Sequence, residues 1–188
     1  FIIFYGWYDT LKIPRVRKLQ FLFCIPVFLL VCYSFFPSIK KAKESLIVFK
    51  KNLHGDMVYG YDPDWQHYLK MSELCAKNLP DTAFVACRKA SMSFIYSGGK
   101  EFYPIFNITH TDADSILHEL QENHVTHTII AMIRKDRSKV ADSTNVINTV
   151  HRLFKPVVEK YPNKLTLVHK IGESEPSYLF EIKYRLYK

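Results

Sequence analysis

Ala83-Phe84-Val85-Ala86-Cys87, followed at once by Arg88-Lys89 and then by the stretch Ser91 to Tyr96 ahead of Gly98-Gly99, decides the fold class of this chain. The first five residues form a short apolar run, the pattern of a buried strand. The second stretch reads as a short helix closed by the paired glycines. A strand that gives way directly to a helix is the repeating unit of a layered α/β domain.

The alternation continues on both sides. Upstream, Asp62-Pro63-Asp64 reads as a helix start, with Asp as cap, Pro at the first helical position and an acid near the positive end of the dipole. Trp65, Tyr68, Leu69, Ser72, Cys75, Ala76 and Leu79 then share one face, and Asn78 to Asp81, with Pro80, stops the helix. Downstream, Phe102 to Phe106 reads as a second strand. Thr111-x-x-Asp114 resembles a capping box opening a helix that carries Ile116, Leu117 and Leu120. Thr126 to Met132 is a strand with Thr128-Ile129-Ile130-Ala131 as its buried part. Val146, Val150, Leu153, Phe154, Val157, Val158 and Tyr161 mark a long amphipathic helix, which Pro156 should kink or restart. Leu165 to Ile171 and Tyr178 to Lys183 flank a turn at Gly172 to Ser177 and read as a terminal hairpin. The expected domain is a small layered α/β fold with a mostly parallel sheet, an antiparallel last strand and a C-terminal β-hairpin. Its crossovers are expected to be right-handed.

A transmembrane helix is expected before this domain. Leu19 to Ile39 is a run of 21 residues without a charge. As a helix it is about 30 Å long, the thickness of the hydrocarbon core. Pro26 inside the run is better tolerated in a membrane than in water. A core helix should show a polar face, and a signal peptide should end in small residues; Phe35-Phe36-Pro37-Ser38-Ile39-Lys40-Lys41 offers neither. Lysines and arginines flank both ends in nearly equal number. The apolar start, Phe1 to Tyr8, reads as the end of a preceding span. Asp9 to Lys18 then becomes a short loop of net charge +3, and such short basic loops stay cytoplasmic. The organisation expected is therefore the end of a span at 1–8, a basic loop at 9–18, a transmembrane helix at 19–39, a connector at 40–61 and an extracytoplasmic α/β domain at 62–188. The location expected is the plasma (inner) membrane, with residues 40–188 on its outer side and the lipid bilayer and upstream helices as partners.

The chain of 188 residues carries a net charge of +8, from 26 basic and 18 acidic side chains, with 48% apolar and 15% aromatic residues. These values exclude a disordered or collagen-like chain. Four basic residues and one acidic residue precede Lys40, which leaves 22 basic and 17 acidic residues from there on. Arg134-Lys135-Asp136-Arg137-Ser138-Lys139 is interrupted by an acid and lacks an aromatic platform, so it reads as a mobile loop at the sheet edge and no nucleic acid is expected.

Arg88 and Lys89 are the candidate binding residues. They stand at the carboxyl end of a strand, where ligands of open α/β sheets bind, and before a helix start, which favours a phosphate or carboxylate. The plain alternative is pairing with acids at the sheet edge, or exposure to water. Cys75 and Cys87 could meet, one lying on a helix and the other on the following strand. A disulfide between them and two free buried thiols both remain open. His124-x-x-His127 is a close histidine pair without a further ligand at metal spacing, so no metal site is expected. Asn107-Ile108-Thr109 is a glycosylation sequon of a kind common by chance. No phosphate-binding glycine motif or nucleophile elbow is present, and no catalytic residue is assigned.

The order of features resembles a known family. After an apolar span come Tyr61-Asp62-Pro63-Asp64-Trp65, a strand leading into Arg88-Lys89, then Ser97-Gly98-Gly99-Lys100, then Val125-Thr126-His127-Thr128-Ile129-Ile130. This is similar to the C-terminal extracytoplasmic part of bacterial integral-membrane glycosyltransferases of the dolichyl-phosphate-mannose–protein mannosyltransferase kind, over residues 1 to 183. The resemblance implies sugar transfer from a polyprenyl-phosphate donor to an extracytoplasmic acceptor. It places the catalytic acids in an early loop to which no residue here corresponds. The domain would then be accessory: a cover for the active-site mouth, a binder of lipid-linked sugar or acceptor, or a brace. No cofactor is implied within this stretch. The competing reading is a membrane-anchored binding or structural domain without activity.

Overall fold

The computed structural model describes residues 20–184 apart from 137, 140–144 and 148; the side chains of residues 20–24, 26 and 27 are also outside the description. The expected span end at 1–8 and basic loop at 9–18 lie outside the described residues. The chain divides into two compact units, Phe1–Gly55 and Asp56–Lys188.

Among the described residues the first unit is a single helix, α1, Gln20–Leu53. It runs on past Lys40, so most of the expected connector is helical. The reason is local: no Gly or Pro occurs between Pro37 and Gly55, and Gly55, at φ 96°, follows the last turn. Its apolar side chains point outward, with Phe28 66%, Leu30 69% and Phe36 72% exposed. Among the described residues no helix is long and apolar enough to cross a membrane.

The second unit is a five-stranded sheet with helices on both faces. Its elements are α2 (Pro63–Asn78), β1 (Phe84–Cys87), α3 (Ala90–Tyr96), β2 (Phe102–Pro104), α4 (Ala113–Glu122), β3 (Val125–Ala131), α5 (Thr149–Lys160), β4 (Leu165–Ile171) and β5 (Ser177–Ile182). The strand order is β2-β1-β3-β5-β4. β1 pairs parallel with β2 (Val85 opposite Phe102) and with β3 (Ala86 opposite Thr128). β5 pairs antiparallel with β3 (Ile129 opposite Leu179) and with β4 (Leu167 opposite Phe180). The hairpin is where the sequence places it. β5 folds back between β3 and β4, so four strands run one way while the pairings divide evenly between parallel and antiparallel.

Alternation along the strands divides the core in two. Val85, Cys87, Phe102, Ile129 and Leu179 meet Tyr68, Leu69, Met71 and Cys75 of α2. Ala86, Tyr103 and Ile182 meet Ile116 and Leu120 of α4 and Val150, Phe154 and Val157 of α5.

Several boundaries differ from expectation for local reasons. Pro104 has no N–H to continue the ladder, so β2 ends there and a turn of 3₁₀ helix follows at Ile105–Asn107. The cap of α4 is Asp112 rather than Thr111: its carboxylate accepts from the Ser115 N–H at 2.8 Å. Val146 lies before α5 instead of inside it, because this stretch pairs back on the end of β3, with Ile147 N donating to Ile133 O at 2.7 Å. Pro156 sits inside α5 without breaking it. The helix loses one internal bond, and its buried face of Val150, Phe154 and Val157 holds it through.

Candidate functional site

The chain leaves β1 first toward β2 and then crosses back to β3, so the carboxyl ends of β1 and β3 flank the switch point of the sheet. Arg88-Lys89 follow β1 there, and Arg134 follows β3. The starts of α2 and α5 reach the same end: the Arg134 N–H donates to Asp64 Oδ2 at 2.8 Å, and Arg88 Nε donates to Thr149 Oγ1 at 3.1 Å.

Arg88 is half-buried, and its guanidinium lies over the Phe106 ring, 5.6 Å from the centroid. Among the described residues its two Nη groups have no hydrogen-bond partner, and neither Arg88 nor Lys89 pairs with an acid. Lys89 precedes α3, and its backbone N–H donates to the Tyr68 hydroxyl at 3.1 Å. The two adjacent residues are thus anchored toward different layers, Arg88 toward α5 and Lys89 toward α2.

Beneath Lys89 lies a buried polar knot. The hydroxyls of Tyr68 and Ser93 are 2.8 Å apart, Ser72 Oγ donates to Ser93 Oγ at 2.9 Å, and Cys87 Sγ donates to the same oxygen at 3.4 Å. Burial, together with the nearby Cys87 thiol, pushes the Tyr68 hydroxyl well above its usual range. Of the two alternatives for Cys75 and Cys87, the structure has both thiols free and buried. Cys87 is turned into the Ser93 knot. Burial lifts Cys75 to about 12, with the Cys87 thiol as a second cause, so both groups stay protonated and inert.

Arg134 corrects another expectation. Instead of lying on a mobile edge, it is the centre of an ion cluster and only 14% exposed. Its guanidinium lies 3.1 Å from Glu175, 3.5 Å from Asp64 and 3.8 Å from Asp62. Asp64 is 1% exposed. Burial opposes the Arg134 charge, but the Asp64 hydrogen bond and the three carboxylates raise its pKa above the ordinary value. The β4–β5 turn that brings Glu175 is fitted against α2. His67 Nδ1 meets the Glu175 carbonyl at 2.9 Å, and a Cβ on Gly172, at φ 87°, would come within 2.3 Å of the His67 ring. Sequence reasoning read Asp62 and Asp64 as a cap and a dipole partner and Glu175 as a turn acid. The usable signal was the position of Arg134 just after a second parallel strand, matching that of Arg88.

The histidine pair does not converge on a ligand. His127 Nδ1 meets the neighbouring Thr126 hydroxyl at 2.8 Å, and His124 has φ 56° in the turn after α4. A cavity of about 700 Å³ opens at the opposite, amino end of the sheet, where Ser97, Gly98, Gly99 and Lys100 line it with His124. The Ser97–Lys100 motif and the Arg88-Lys89 motif therefore occupy opposite ends of the domain. In chemical terms, the carboxyl end offers cations for an anion, while Arg134 is already neutralised by its carboxylates.

No family model matches this chain, and no curated protein matches it either. Among solved structures, the chain is similar to the C-terminal globular domain of an oligosaccharyltransferase from Archaeoglobus fulgidus, at 12% identity and a TM-score of 0.39, over 65% of this chain and 99% of that one. A score of that size carries no argument about fold or activity.

Proposed function

We propose that the Asp56–Lys188 unit is the extracytoplasmic accessory domain of a bacterial integral-membrane glycosyltransferase. The parent enzyme moves a sugar from a polyprenyl-phosphate donor to an acceptor outside the plasma membrane, and its catalytic acids lie upstream of these residues. In this reading Leu19 to Ile39, several of whose apolar residues lie outside the description, is the membrane span. The observation that carries the reading is the placement of Arg88 and Lys89, two residues of the family-like motif, at the carboxyl end of β1 with the Arg88 Nη groups open among the described residues. Two cations there suit a phosphate of the lipid-linked donor.

Two experiments test this reading. The coding sequence upstream of Phe1 should contain several further apolar spans and an outward-facing loop with one or two acids. A start codon within a few residues would overturn the transferase reading and leave an anchored binding domain. The double change Arg88→Ala with Lys89→Ala should weaken binding of polyprenyl phosphate in detergent, and unchanged binding would remove these residues from the site.

A further inference from the structure

The second half of α1 carries a surface of its own. At 100° per residue, Ala42, Leu46, Phe49 and Leu53 fall within a sector of about 60°, with Ile47 and Val48 outside it. Phe49 is 58% and Leu53 68% exposed. Lys43 and Lys50 flank this stripe on one side and Lys41 on the other, with Lys40 and Lys51 opposite it. Glu44 is the only acid from Lys40 to Leu53. An apolar stripe bordered by lysines is the pattern of a helix lying in a lipid headgroup layer, where long cationic side chains reach phosphates while their stems cover the apolar boundary.

Length adds to this. α1 has 34 residues, about 51 Å, against about 30 Å for the hydrocarbon core. Even a strongly tilted span leaves part of the helix outside the core. Pro37 stands where the apolar run gives way to lysines, and a proline there removes a backbone bond and permits a bend.

Resting on the membrane-span reading above, we infer that Lys40–Leu53 docks along an anionic lipid surface. Leu46, Phe49 and Leu53 sink into the headgroup–acyl boundary, and Lys41, Lys43 and Lys50 at its borders reach lipid phosphates. The charge selects the occupant: a stripe made for a neutral apolar partner needs no cationic border.

The test uses the full chain with Cys24 and Cys32 changed to Ala, reconstituted in phosphatidylcholine vesicles with and without phosphatidylglycerol. Spin labels are placed at Leu30→Cys or Phe49→Cys, and relaxation by oxygen is compared with relaxation by a water-soluble nickel complex. The label at 49 should turn from nickel-accessible to oxygen-accessible when the anionic lipid is present. Changing Lys40, Lys41, Lys43, Lys50 and Lys51 to Gln should abolish that change. A label at 49 that stays nickel-accessible in both membranes overturns the inference. So does spin–spin broadening at 49 that dilution with unlabelled chain removes, since the stripe would then pair with a second copy. The label at 30 separates the two readings: if it too stays nickel-accessible, the span itself fails.

Discussion

In α1, Phe28, Leu30 and Phe36 stand 66, 69 and 72% exposed; in the α/β unit, Ile116, Leu120 and Val125 are fully buried. Both regions draw on the same apolar residue types. In the α/β unit the residues recur with the period of the element that carries them, so each strand and helix has an inner face, and two layers of helices close on the sheet. In the first part of α1 they surround the helix, and an all-round apolar surface cannot be buried against a single layer. The α/β unit buries its apolar side chains against its own layers, whereas Phe28, Leu30 and Phe36 of α1 stand exposed.

Substitutions test this difference. The largest effect is expected from Phe154→Ala, at 2% exposure in the core beneath α5; it should cost the α/β unit about 4 kcal/mol in a urea titration. Asp64→Asn keeps the shape and removes the buried charge from the Arg134 cluster. A loss of about 2 kcal/mol is expected in the same titration, and an unchanged midpoint would mean the cluster contributes no net stability.

A smaller, pH-linked effect follows from His127 and His151. Burial holds both below their ordinary 6.5, with Lys100 a lesser cause at His127. Their neutral forms are favoured in the fold, so the unfolded chain binds more protons, and stability should fall as pH drops through 6.5 toward the lowered folded values. Changing both to Gln should flatten that part of a stability-versus-pH curve. The smallest effect is expected from Phe36→Ala, which should leave the midpoint of the α/β unit within about 0.5 kcal/mol. A large loss there would show that α1 stabilises the α/β unit and would end the contrast.

How much was readable in the sequence follows the same division. Strand–helix alternation and the hairpin were legible because local period and turn residues set them: Asp62-Pro63 starts α2, and Gly98-Gly99 follows α3 at φ 78° and 107°. The pairing of β5 was only partly legible, for its antiparallel run was expected but its insertion between β3 and β4 depends on contacts distant in sequence. The same holds for Arg134. Its three carboxylates come from Asp62 and Asp64 and, more than a hundred residues further on, from Glu175, and no local pattern joins them. The contact of the Cys87 thiol with the buried Ser93 hydroxyl was not legible either, because it depends on how α3 packs on the sheet.

Protease added to intact spheroplasts tests the proposed arrangement, in which an apolar span holds the α/β unit on the outer side of the plasma membrane. The account expects the Asp56–Lys188 unit to be digested from outside while a fragment containing α1 stays with the membrane. A unit that remains intact until the cells are lysed would contradict it.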